Sequence, residues 1–177
     1  MLLNKIPCLD KGYIALIDSS CDTQKLAEVS IEFFKRDDYK FLYEVATLTL
    51  VVKCPLFVQL NLSTHNLKVI TTPVAGELEA YCPNVGEIGG ADVHANKDIA
   101  DNMKAATDAL LINPAAYQKD GCDRFVSQIL TPINTYTTLI VNGSYNEWRR
   151  FCEQPKPPMP IKAYIRAVTQ IMNVEWR

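Results

Sequence analysis

The 177-residue sequence is poor in histidine, with two, and in glycine, with seven, and its 18 lysines and arginines form no run. Binding to DNA or RNA by phosphate neutralisation needs clustered cations, so no nucleic-acid partner is expected. No segment approaches the roughly 20 apolar residues that cross a bilayer, and Lys5 and Pro7 interrupt the N-terminus. A soluble, unprocessed chain with no membrane role is expected. Two histidines and six scattered cysteines (Cys8, Cys21, Cys54, Cys82, Cys122, Cys152) offer no metal-ligand spacing. Reduced thiols in a cytoplasmic protein are the expectation.

What is present is a core-forming composition: 48% apolar and 21% charged, with a net charge of −2. One globular domain over residues 1–177 is expected. Gly12–Asp18 reads as a strand ending in the polar cluster Ser19-Ser20-Cys21-Asp22, with a helix over Thr23–Lys35. Glu44–Val52 is the clearest strand, with Ala46, Leu48, Leu50 and Val52 on one face and Val45, Thr47, Thr49 and Val51 on the other. Both faces are expected to be covered. Pro55 fits the first turn of a helix, and Leu67–Thr72 is a second extended piece.

Residues 73–95, with four glycines and two prolines, read as a long irregular loop. Asn96 is a candidate cap for a helix through Ile99, Met103, Ala106, Leu110 and Leu111, stopped by Asn113-Pro114. Another helix is expected from about Asp120 to Leu130. Ser144-Tyr-Asn-Glu147 has capping-box spacing, which predicts a helix from Tyr145 to about Glu153. The stretch 155–160, with four prolines, favours a stiff polyproline connection into a final amphipathic helix over Ile161–Trp176.

The clearest polar cluster is His65 with Ser63, Thr64 and Asn66, set at a predicted helix end where a small ligand could bind. Gly86-Glu-Ile-Gly-Gly90 lacks the strand and the Lys-Ser/Thr of a phosphate loop and reads as a turn. Arg149-Arg150 fits a solvated helix face. No Gly-x-Ser-x-Gly elbow is present.

The order of segments resembles the flavin-dependent thymidylate synthases. Leu9–Asp18 followed by Leu26-Ala-Glu-Val-Ser30 is similar to the family's opening strand and Ala-Arg-Val-Ser element. Tyr43-Glu44 with Pro55-Leu-Phe-Val58 resembles its Phe-Glu-His strand and Pro-x-Phe-Val helix start. Leu130-Thr-Pro-Ile-Asn-Thr-Tyr-Thr137 resembles its Leu-Pro-x-Asn-x-Tyr-Thr. The resemblance covers about Leu9 to Ile171.

It implies an α/β (α+β) fold with a central, mostly antiparallel sheet flanked by helices. It also implies a homo-oligomer, dimer or tetramer, with FAD and dUMP sites between subunits. A hetero-oligomer with another protein is the alternative, and a small viral genome, hence the cytoplasm of an infected cell, fits the compact size. The family's phosphate-binding arginines do not carry over. A gapless alignment places its signature on Thr64-His65-Asn66, its preceding glutamine and arginine on Asn61 and Leu60, and a later arginine on Gly76. The arginine upstream of Leu-Pro falls on Gln128, and Asn-Ala-Arg-Ser falls on Ser144-Tyr-Asn-Glu147, so Asn146 replaces the nucleotide-facing arginine.

Each charge-assisted hydrogen bond contributes roughly 1.5–3 kcal/mol, so these losses remove much of the binding to a nucleotide phosphate. The candidate ligand-binding set is therefore His65, Asn61, Thr64, Asn66, Ser144 and Asn146, with no catalytic residue assigned and no cofactor, or FAD if the family activity survives. The expected function is a diverged binding or regulatory protein. The alternative is an active flavin-dependent thymidylate synthase or a pyrimidine-nucleotide-modifying enzyme with altered substrate or cofactor.

Overall fold

The computed structural model describes residues 4–20, 45–71, 78–88, 93–122 and 131–175. These fall into two compact units, one drawn from Met1–Cys54, Val58–Thr72 and Thr138–Arg177, the other from Pro55–Phe57 and Pro73–Thr137.

The first unit is an α+β sandwich. Its strands are β1 (Lys5–Cys8), β2 (Gly12–Ser19), β3 (Thr47–Pro55), β4 (Lys68–Thr71) and β5 (Tyr136–Ser144), ordered β1-β2-β3-β5-β4. The β1–β2, β2–β3 and β4–β5 pairs are antiparallel, with Cys8 opposite Gly12, Ala15 opposite Val51 and Ile70 opposite Ile140. Alternation along β3 sets the layers: Leu48, Leu50, Val52 and Cys54 are buried, while Thr47, Thr49, Val51 and Lys53 stay half-buried. One face is closed and the other is half open, whereas the β-branched run suggests cover on both.

Helices α1 (Leu56–Ser63), α4 (Tyr145–Cys152) and α5 (Met159–Glu175) carry the rest of this core. Every third or fourth residue of α5, from Ile161 and Tyr164 to Val168 and Met172, is buried, as an amphipathic stripe requires. Trp148 of α4 is fully buried, donates its indole N–H to the Leu48 carbonyl (3.1 Å) and stands edge-on to Phe151. Gly12 is set by close approach: a β-carbon there would overlap the Tyr164 hydroxyl and the Cys8 and Lys53 carbonyl oxygens. That hydroxyl donates to the Lys53 carbonyl (3.0 Å), tying α5 to β3.

The second unit contains α2 (Val85–Ile88) and the 27-residue α3 (Val93–Lys119). Its extended segments are joined through the motif at 131–137. Tyr81 N–H donates to the Asn134 carbonyl, Tyr136 N–H to that of Glu79, and Leu56 N–H to that of Thr135. The Asn134 amide donates to the Tyr81 carbonyl (2.7 Å) and the Thr107 hydroxyl (3.1 Å), pinning α3 to the paired segments at 79–81 and 134–136.

Several expectations are corrected. The irregular stretch at 73–95 contains α2 and the first turn of α3, so Asn96 lies inside the helix rather than capping it. Asn113-Pro114 does not stop α3. Proline removes one bond, to the Leu110 carbonyl, and that residue is exposed, so water can replace the missing donor. The stop is Gly121 at φ +87°, with Cys122 N–H donating to the Tyr117 carbonyl in a Schellman turn. Asp120 therefore belongs to a helix end; the helix expected beyond it lies outside the described residues from 123 onward, as do those over Thr23–Lys35 and the matches at Tyr43-Glu44, Gly76 and Gln128.

The 155–160 stretch is not a polyproline rod. Lys156 turns the chain at φ +48°, and Pro160 sits in the first turn of α5, where its missing N–H costs nothing. β1 and β5 are strands that the sequence pattern above does not mark. No helix among the described residues is long and apolar enough to cross a membrane.

Candidate functional site

All six candidate residues lie in the first unit, at the end of α1 and the start of α4. α1 closes tightly: the Ser63 hydroxyl donates to the Gln59 carbonyl and the Thr64 hydroxyl to that of Asn61 (2.7 Å). Thr64 and His65 N–H donate to the Asn61 and Leu62 carbonyls, and Asn66 follows at φ +60°. Asparagine tolerates that left-handed conformation better than most residues, so Asn66 has a conformational reason to be there.

The side chains of Asn61 and His65 both turn toward the end of α4. Asn61 and Gln154 form a reciprocal amide pair, each donating to the other's oxygen at 3.2 Å, and Gln154 also donates to the Phe151 carbonyl (2.9 Å). The His65 ring stands edge-on to Phe151, with centroids 5.6 Å apart. Partial burial holds its pKa below the usual 6.5, which favours neutral imidazole at neutral pH. The Asn61–Gln154 pair joins residues 93 apart in the chain, so no spacing could reveal it.

Ser144 and Asn146 belong to the opposite end of α4. Ser144 caps the helix: its hydroxyl accepts from Glu147 N–H (3.3 Å), and the Glu147 carboxylate accepts from Ser144 N–H (2.7 Å). The capping box expected from the sequence is thus present. Gly143 packs against this box, where a β-carbon would overlap Leu67. Asn146 is half-buried in the first turn. At 1.5 Å per residue, the seven residues from Ser144 to Phe151 separate the two clusters by about 10 Å along the helix axis. The six residues do not converge on one point.

Neither cluster contains an arginine or lysine among the candidates. Arg149 pairs with Glu153 (3.6 Å) on the exposed side of α4, and Arg150 is also exposed. A surface hollow of about 460 Å³ on the outward face of α5 is lined by Ile165, Arg166, Thr169, Gln170, Asn173 and Val174, and none of the six candidates touches it. Three of the cysteines are disfavoured as nucleophiles. Burial raises Cys8 to about 12 and raises Cys54 and Cys152 as well, which favours the protonated thiol over the thiolate. Among the described residues no three histidine, cysteine or acidic side chains form a metal-binding group, and Cys8, Cys54, Cys82, Cys122 and Cys152 are free thiols.

Neither a protein-family model nor a curated protein sequence matches this chain.

Proposed function

We propose that this chain is a non-catalytic relative of the flavin-dependent thymidylate synthases, a binding or regulatory protein that works in an assembly with like or unlike chains. The observation that carries this reading is the engagement of the candidate polar groups within the fold. Asn61 is held by Gln154, the Ser144 hydroxyl by Glu147 N–H and the Thr64 hydroxyl by the Asn61 carbonyl. A phosphate ligand would have to replace these contacts while meeting uncharged side chains at 60, 64, 66 and 146. Such residues do not fit the phosphates of FAD or dUMP, because neutral amides and hydroxyls supply neither the charge nor the fork of a guanidinium. These side chains therefore support no step of flavin chemistry.

The second reading is an active flavin-dependent thymidylate synthase or a pyrimidine-nucleotide-modifying enzyme with altered substrate or cofactor. Its support is His65, a half-buried imidazole biased to the neutral form beside exposed Thr64 and Asn66. Equilibrium titration of the purified chain with FAD and dUMP, followed by a thymidylate synthase assay, separates the two. A non-catalytic chain gives no flavin absorbance, no saturable binding and no dTMP. A yellow protein with micromolar FAD affinity that converts dUMP to dTMP would overturn the proposal, and nucleotide binding abolished by His65→Ala would favour the second reading.

A further inference from the structure

We draw no further inference here: the strongest candidate, the surface hollow on the outward face of α5 beside Arg166, Thr169, Gln170 and Asn173, is an exposed stretch of a single helix face, and nothing in the structure shows what covers it.

Discussion

Strand β3 and helix α3 solve the burial problem in opposite ways. β3 places Leu48, Leu50, Val52 and Cys54 at 1% exposure or less beneath α4 and α5, and its other face carries threonine and lysine. α3 buries Asn96 and Thr107, leaves Ile99, Met103, Leu110 and Tyr117 half open and exposes Ile112 more fully. The buried face of the strand is closed within its own unit, whereas the large apolar residues of the helix stay in partial contact with solvent. Apolar content alone does not separate the two. What separates them is which positions the fold covers.

The contrast can be broken most forcefully at Trp148. Trp148→Ala empties a fully buried site and frees the Leu48 carbonyl, for an expected loss of about 3–5 kcal/mol in chemical denaturation. Met103→Ala should cost no more than about 0.5 kcal/mol, as exposed positions do. Gly12→Ala comes next after Trp148, at about 1–3 kcal/mol, because the Tyr164 hydroxyl and the backbone carbonyl oxygens of Cys8 and Lys53 all stand where the β-carbon would sit.

Asn61→Ala, which leaves the Gln154 amide without its partner, should cost about 1–2 kcal/mol. A double-mutant cycle with Gln154→Ala should recover part of that loss as coupling. If Asn61 were instead held ready for a ligand, its replacement would stabilise the free protein or leave it unchanged.

The smallest effect is at His65. Its folded pKa is held below the ordinary 6.5, so the unfolded chain binds more protons between the two values. The contribution of neutral His65 is present above pH 6.5 and is lost as the pH falls below it. His65→Gln should flatten the fall in melting temperature between pH 7 and pH 5, and an unchanged pH profile would contradict this assignment.

How much of the fold is legible in the sequence follows from the range of each interaction. β2, β3, α1, α4 and α5 rest on local period and on caps a few residues apart, and the Ser144–Glu147 box is readable because both partners sit within one turn. β5 is harder to see although Thr137-Thr-Leu-Ile-Val141 is β-branched enough to mark it, because the adjoining motif around Asn134 carries the stronger local pattern. α3 runs past its expected end because Gly121, and not Pro114, terminates it. At the candidate site the residues are readable but their roles are not. His65 and Asn61 look like ligand-binding groups until Phe151 and Gln154, far along the chain, meet them.

Hydrogen exchange followed residue by residue tests the contrast most directly. Amides of β3 and β5 are expected to exchange slowest, through global unfolding, while amides from Ile99 to Tyr117 in α3 exchange faster, because an element that buries little apolar surface opens at a lower free energy. Protection of α3 equal to that of β3 would contradict the contrast.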